Sequence, residues 1–158
     1  MTTRSLSALN HRIPPPILTV FTALLMWGLA QATPRWPLPD GLRLLGSGAL
    51  LLVGLAFLAS GFLAFRAAKT TINPVNIEAA SSLVTSGVFR VSRNPMYVGF
   101  TAVLAAWTVY LAAPCAVTGV LGFMLFIYRF QILPEEQVMH AKFGAEFETY
   151  RRSVRRWL

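Results

Sequence analysis

Two polar segments carry most of the side chains that could do chemistry. The first covers residues 83–99, and the second covers residues 134–157 and contains Glu135 and Glu136 near its start. They hold carboxylates, which suit cations, and guanidinium groups, whose planar fork suits carboxylates and phosphates. Both segments are too rich in polar groups to be ordinary loops, so we expect a binding or catalytic site to be built from them.

Metal and disulfide chemistry are not expected. Cys115 is the only cysteine, which excludes an intramolecular disulfide and a cysteine-rich metal site. His11 and His140 are the only histidines, which are too few for a histidine-based metal cluster. The sequence therefore predicts no metal ligands.

The composition indicates that the two segments belong to a membrane protein. Of 158 residues, 55% are hydrophobic and 13% are charged, and the mean hydropathy is +0.57. A soluble domain carries about 25% charged residues. A chain with so few charges cannot cover a water-facing surface, so we expect an integral membrane protein in contact with membrane lipids.

Four apolar stretches predict an all-α fold. Each is near the ~20 residues with which a helix crosses a bilayer. They cover approximately residues 13–32, 42–65, 97–112 and 115–133. From Pro134 the tail is also predicted to be helical, because acidic residues in its first turn and arginines in its last suit the helix dipole. We expect a single domain over residues 1–158, a polytopic bundle of about four transmembrane helices with a cytoplasmic C-terminal helix.

The basic residues predict the orientation of the chain. The formal net charge is +8, and the lysines and arginines concentrate in the N-terminal segment, the loop after the second apolar stretch, and the tail. The positive-inside rule then puts both termini and the long middle loop in the cytoplasm. Because these residues flank apolar runs rather than forming one helical face, nucleic acid is not an expected partner.

The first polar segment resembles a known signature. Residues 93–99 are similar to the arginine–histidine–proline–x–tyrosine–x–glycine motif of the isoprenylcysteine carboxyl methyltransferase family, which itself resembles membrane phospholipid methyltransferases. The lead-in over residues 83–88 is similar as well. An upstream threonine–threonine–x–x–proline element is matched by Thr70, Thr71 and Pro74.

The tail carries the second part of the resemblance. It has the family's paired glutamates, then its phenylalanine–glycine pair, here Phe143 and Gly144, and then a tyrosine before a basic run. The match keeps the order and spacing of the family over about residues 66–158. Several matching elements at once make a chance resemblance improbable.

The resemblance implies that the two polar segments bind S-adenosylmethionine. Glu136 would supply a carboxylate for this cationic cofactor, and Arg152 would grip a carboxylate or phosphate of the acceptor. The residues implied in catalysis are Glu136, Arg152 and Asn94. The residues implied in cofactor binding are Arg93, Asn94, Pro95, Tyr97, Val98, Gly99, Glu136, His140 and Tyr150.

Several of these residues also have a simpler interpretation. Arg93 is also interpretable as a topology charge, and Tyr97 as an interfacial aromatic at headgroup depth. Glu135 suits a charge at a helix N-terminus. Arg152 could lie against anionic lipid headgroups. For His140, four residues after Glu136, we expect an orienting or structural role.

Two positions depart from the family pattern. Asn94 stands where a histidine is usual, and asparagine can hydrogen-bond but cannot act as a base near neutral pH. Methyl transfer tolerates this change, because alignment and desolvation supply most of the acceleration. Arg155 stands where the family often has proline, which leaves the last turn undefined.

The sequence thus predicts an S-adenosylmethionine-dependent methyltransferase, expected in a prokaryotic cytoplasmic membrane. Its acceptor would be lipophilic, an isoprenoid or prenyl carboxylate or a similar molecule that enters from the bilayer. Phospholipid amine N-methylation and small-thiol S-methylation are the alternatives within the enzyme class. A non-catalytic membrane scaffold is the alternative from another class, and Asn94 is the only feature that favours it.

Overall fold

The computed structural model describes residues 13–68 and 82–158, and in these two stretches it contains helices and turns but no strand. The predicted all-α fold is therefore confirmed for this part of the chain. The helices are α1 (Pro15–Gln31), α2 (Asp40–Ala67), α3 (Pro95–Leu111), α4 (Val117–Ile127) and α5 (Leu133–Ser153). Short 3₁₀ turns cover Gly87–Arg90 and Pro114–Ala116. The predicted family element of Thr70, Thr71 and Pro74 lies outside the described residues.

The four apolar stretches of the sequence all form helices, but they differ in length. Two continuous helical segments, Asp40–Ala67 and Pro114–Ser153, are long and apolar enough to cross a membrane. The helices α1 and α3 are apolar and have 17 residues each, slightly short of the ~20 that span a typical bilayer. Large apolar side chains such as Leu24, Leu45 and Leu52 face outward. The number of spans and the cytoplasmic side of the termini stay predictions.

Prolines begin two helices at the end of the bundle where the polar segments lie. The helix α1 opens at Pro15 and Pro16, and α3 opens at Pro95. Proline suits these positions because its fixed φ matches the helix and its missing amide hydrogen is not needed in a first turn. Both helices therefore begin at the same side of the bundle as the polar segments.

The fourth apolar stretch and the tail form one continuous helical path. A π-helical turn at Tyr128–Ile132 joins α4 directly to α5. Pro134 would break an ordinary α-helix because it lacks an amide hydrogen and crowds the carbonyl four residues earlier. The wider π-turn relieves that conflict, so the helix continues through Pro134.

The tail reverses its direction at Gly144. This glycine has φ 49° and ψ −118° inside α5, a left-handed combination that a residue with a Cβ adopts only under strain. In a straight helix Ser153 would lie about 25 Å from Glu136. The bend at Gly144 and the residues after α5 instead bring Nε of Arg156 to 2.9 Å from Oε1 of Glu136. The C-terminal helix that the sequence predicted is therefore bent into two parts in the structure.

The backbones of α2 and α3 lie against each other along one seam. An ideal Cβ placed on Gly99 would lie 2.7 Å from Cγ of Leu58 and 2.8 Å from the carbonyl oxygen of Gly54. A Cβ on Gly54 would meet the carbonyl oxygen of Gly99 at 2.9 Å. The two backbones thus touch where both helices have glycine, a packing mode typical of membrane helices.

Candidate active site

A cavity of about 390 Å³ lies where the polar segments meet the helix ends. This volume is within the usual range of about 300–1,000 Å³ for small-molecule sites. The apolar part of its wall includes Phe65, Met96, Phe100, Met139 and Phe147. The polar part consists mainly of Arg93, Asn94, Glu135 and Glu136, with Tyr97 and Tyr150 beside them. The two predicted segments therefore converge on one cavity.

Glu136 is held by two arginines. Nη2 of Arg93 donates to Oε1 of Glu136 at 2.9 Å. Arg156 donates twice, from Nε to Oε1 at 2.9 Å and from Nη2 to Oε2 at 2.7 Å. Both carboxylate oxygens are thus engaged, and such charge-assisted, two-pronged bonds are the strongest of the polar contacts. The cluster of two cations and one anion carries one net positive charge.

Arg93 is the most buried charge of the cluster. Its side chain is 8% exposed, and Nη1 donates to the carbonyl oxygen of Arg151 at 3.1 Å. Its Nε is buried and has no hydrogen-bond partner among the described residues. Burial lowers the pKa of Arg93 from its ordinary value, while the neighbouring Glu136 opposes that change. Arginine nevertheless keeps its charge at neutral pH, so Arg93 is a fixed cation at the cavity.

Asn94 ties the loop to the end of the chain. Its Nδ2 donates to the carbonyl oxygen of Arg156 at 2.9 Å. Ser92 Oγ donates to the same oxygen at 3.3 Å, and the backbone N–H of Arg93 donates to the carbonyl oxygen of Arg155 at 2.9 Å. Residues 154–157, which we call the C-terminal strap, therefore lie across residues 92–94. The side-chain amide of Asn94 here holds backbone in place.

Glu135 differs from its neighbour Glu136. The hydroxyl of Tyr97 donates to Oε1 of Glu135, and Glu135 has no ion pair with any described residue. It lines the same cavity as Glu136, yet the nearby guanidinium groups of Arg93 and Arg156 are bonded to Glu136. One carboxylate is thus fully neutralised by arginines, whereas the other meets only a phenol.

The returning half of α5 closes the far wall of the cavity. The hydroxyl of Tyr150 donates to the carbonyl oxygen of Phe89 at 2.7 Å, and the ring of Phe89 packs edge-on against Phe65 of α2 with centroids 5.2 Å apart. Phe147 and Val84 complete this small buried cluster. Tyr150 is therefore both a wall residue and an anchor for the 3₁₀ turn at Gly87–Arg90.

The structure does not bring every predicted site residue to the cavity. Val98 and Gly99 are buried but are absent from the cavity wall, and Gly99 instead contacts α2. His140 is exposed on α5. Arg152 has a 79% exposed side chain and bonds Glu148 at 3.2 Å. Helical spacing from Glu136 suggested the position of His140 and the family resemblance suggested Arg152, and neither accounts for the bend at Gly144.

Reasoning from the sequence missed Arg156 and ranked Glu135 below Glu136. Arg156, rather than Arg152, is the arginine that reaches Glu136, and Glu135 faces the cavity instead of only charging a helix end. Gly144 could have indicated the contact between Arg156 and Glu136, since a glycine within an otherwise helical segment marks a place where the chain can turn. Nothing in the spacing distinguished Glu135 from Glu136.

Comparison with known proteins identifies a related family. Residues 42–146 match the family described as phospholipid methyltransferase. This range contains all but the first two residues of α2, together with α3, α4, the first polar segment and both glutamates. An uncharacterized protein of Haemophilus influenzae is 44% identical over 63 residues, which is 40% of this chain and all of that protein. No solved structure matches.

Proposed function

This chain belongs to the phospholipid methyltransferase family, and we propose that it transfers a methyl group from S-adenosylmethionine to a lipophilic acceptor. The family and the apolar helices make it a membrane methyltransferase. One observation carries the finer proposal. A single cavity combines an arginine–glutamate cluster at one side with an apolar wall built from the membrane helices at the other.

The polar side of the cavity has the chemistry for S-adenosylmethionine. This molecule combines a sulfonium, an amino-acid carboxylate, a ribose and an adenine, so it needs fixed charges beside apolar walls. The net positive cluster with the unpartnered Nε of Arg93 suits the carboxylate. The rings of Phe147 and Tyr150 suit the adenine. When bound, the cofactor supplies an activated methyl group.

Glu136 takes a positioning role in this proposal. Because both of its oxygens are bonded to guanidinium groups, it has little capacity left for a cationic ligand. Its function is to hold Arg93 and Arg156 so that the C-terminal strap closes the cavity. Tyr97, Pro95 and Asn94 line the cavity and remain proposed contacts of the bound molecules, whereas Arg152 remains a proposed headgroup contact.

The apolar side of the cavity suits an acceptor that arrives from lipid. Pro14, Pro15 and Pro16 line the cavity at the start of α1. A shallow apolar hollow on the outward face of α1 shares Pro16 with it and continues along Ile17 to Leu24. This surface offers a path from bilayer to cavity, which supports a lipophilic acceptor such as an isoprenoid carboxylate.

A phospholipid amine is the second candidate acceptor. The observation that favours it is Glu135, a carboxylate of the cavity wall without an ion pair among the described residues. An ammonium group would neutralise that charge, whereas an acceptor carboxylate would be repelled by it. A small-thiol acceptor gains no comparable support from the described cavity.

The first test is cofactor binding by the purified protein in detergent. Wild type should bind radiolabelled S-adenosylmethionine saturably, and Glu136→Ala should weaken binding at least tenfold, or about 1.4 kcal/mol. The reason is that Arg93 and Arg156 lose the anion that holds them. Glu146→Ala, an exposed glutamate of the same helix, is the matched control. Equal affinity of both variants would contradict the proposed site.

The second test is transfer itself. Incubation with labelled cofactor and total membrane lipid should yield a labelled lipid with wild type and about tenfold less with Glu136→Ala. Cofactor binding without any labelled lipid or small molecule would favour the non-catalytic scaffold. Thermal unfolding of each variant in detergent separates a lost site from a lost fold.

A further inference from the structure

Glu135 is a carboxylate that has no ion pair among the described residues. Its carboxylate accepts one hydrogen bond, from the hydroxyl of Tyr97, through Oε1. Its Oε2 has no hydrogen bond to any described residue. A carboxylate placed in an apolar cavity without a cation is costly unless a ligand or a proton neutralises it.

Within residues 13–68 and 82–158, no arginine or lysine is ion-paired with Glu135. Arg93 and Arg156 are bonded through Glu136, Arg93 uses its remaining Nη for the backbone of Arg151, and Arg156 stacks over the ring of Tyr128 at 5.1 Å. The cavity wall opposite is formed by rings and methionines such as Phe100 and Met96. Among the described residues nothing neutralises Glu135, which leaves that role to a molecule in the cavity.

We propose that Glu135, oriented by Tyr97, is the catalytic residue that takes a proton from the acceptor. This inference rests on the proposed function with its second candidate acceptor, the amine, and adds to it a general base, a role that Asn94 cannot take. It also defines the acceptor chemically, as a molecule whose attacking atom arrives protonated. An acceptor that is already a carboxylate or thiolate would need no such group.

The proton transfer balances without another reactant. An ammonium acceptor brings one N–H bond to Oε2 of Glu135. That N–H bond breaks, its electron pair stays on nitrogen, and an O–H bond forms on the carboxylate, so that a cation and an anion become a neutral amine and a neutral acid. The freed electron pair is then available to attack an activated methyl group, and the acid later returns its proton to water.

Tyr97 acts as a positioning residue in this arrangement. Its ring is 7% exposed and belongs to the bundle core, where it packs as part of the same cluster as Leu104 and Ile132. The phenol is thus fixed by packing and holds Oε1, which leaves Oε2 for the acceptor. Tyr97→Phe should keep the packing and lower the rate less than removal of the carboxylate.

The experiment uses the full chain in detergent with three probes of equal alkyl length: dodecylamine, dodecanoate and dodecanethiol. Wild type should methylate dodecylamine fastest. Glu135→Gln keeps the shape and an acceptor oxygen for Tyr97, and should lower the dodecylamine rate about 100-fold, within the usual contribution of a general base. Its dissociation constant for S-adenosylmethionine should change by less than about threefold. The control Glu146→Gln should match wild type.

A second readout does not depend on turnover. The hydrophobic reagent dicyclohexylcarbodiimide modifies carboxyl groups that it reaches from an apolar phase and that are free of ion pairs. Mass spectrometry of the treated protein should find the adduct on Glu135 and not on Glu136, because Glu136 is bonded to two arginines. N,N-Dimethyldodecylamine, a tertiary amine that the activated carboxyl does not convert into an amide, should slow this labelling.

The outcomes separate this inference from the proposed function. If wild type fails to bind S-adenosylmethionine, the proposed function fails. Three outcomes would overturn only the role of Glu135, provided that wild type binds the cofactor. They are an adduct on Glu136, an unchanged dodecylamine rate in Glu135→Gln, and faster methylation of dodecanoate than of dodecylamine. Cofactor binding with no methylation of dodecylamine also counts against that role.

Discussion

The two ends of the helix bundle are held together by different interactions. At the end away from the cavity, small and apolar side chains such as Ala113, Ala116 and Phe123 form a dry core. Hydrogen bonds in this core use neutral side chains and backbone carbonyl oxygens, within a helix from Thr108 to Leu104 at 3.1 Å and between helices from Nε1 of Trp107 to Ala23 at 3.0 Å. At the cavity end, charged side chains from separate segments bond one another, since Arg93 and Arg156 both donate to Glu136.

This contrast shows which part of the molecule is scaffold and which part depends on a ligand. Close packing of apolar helices needs only shape, so the far end and the α2–α3 seam are complete without any bound molecule. The cavity end keeps an unpartnered Nε on Arg93 and an unpaired carboxylate on Glu135. A substitution in the first region should act on stability, and one in the second should act on binding.

The largest effect on stability is expected at the seam. Gly99→Ala puts a methyl group 2.7 Å from Leu58 and 2.8 Å from the backbone of Gly54, so the helices must separate. Such overpacking should cost about 3 kcal/mol, measured as a lower thermal unfolding midpoint in detergent. Protein that remains folded should bind S-adenosylmethionine with wild-type affinity, because Gly99 does not line the cavity.

The control for the seam is Gly48→Ala, since a Cβ at Gly48 of α2 meets nothing within 4 Å. That variant should unfold at the wild-type temperature or slightly above it, as alanine is the better helix former. A Gly99→Ala protein of normal stability with weakened cofactor binding would reverse the assignment. It would return Gly99 to the cofactor-binding role that the family signature implies.

An intermediate effect is expected at the reversal of the tail. Gly144→Ala forces a Cβ into φ 49°, ψ −118°, which costs about 1–2 kcal/mol of backbone strain. No atom crowds the added methyl group within 4 Å, so the whole cost is conformational. Relief of the strain would shift the returning helix and the C-terminal strap. Affinity for S-adenosylmethionine should therefore fall about tenfold, in an equilibrium binding assay.

Gly122→Ala is the matched control for the tail, because Gly122 lies within α4 and has equally open space. It should leave both stability and affinity unchanged. If Gly144→Ala bound the cofactor as tightly as Gly122→Ala does, the position of the strap would not matter for the cavity.

The seam and the tail also differ in how far the sequence predicts them. Hydrophobicity locates all four apolar helices, because a membrane helix must be apolar along its whole length. The paired clusters locate the cavity, since residues 93–97 and both glutamates do meet there. The pairing of charges at the cavity depends on one backbone bend at Gly144, which a position in a family pattern does not reveal, so the resemblance selected Arg152 in place of Arg156. Which of two adjacent glutamates meets arginine is likewise a matter of tertiary contacts.

The smallest effect is expected at the position that departs from the family signature. Asn94 acts in the structure as a donor to the carbonyl oxygen of Arg156, and a histidine ring nitrogen can donate in the same direction. Asn94→His should therefore change S-adenosylmethionine affinity by less than about threefold. Asn94→Leu removes the donor and leaves that carbonyl unpaired, so it should weaken the affinity about tenfold. The affinity of both variants for S-adenosylmethionine shows whether the side chain at position 94 is a donor that holds the C-terminal strap or stands where a base has been lost. A methylation rate raised at least tenfold by Asn94→His at unchanged affinity would mean that the position is catalytic, and that Glu135 does not supply the base.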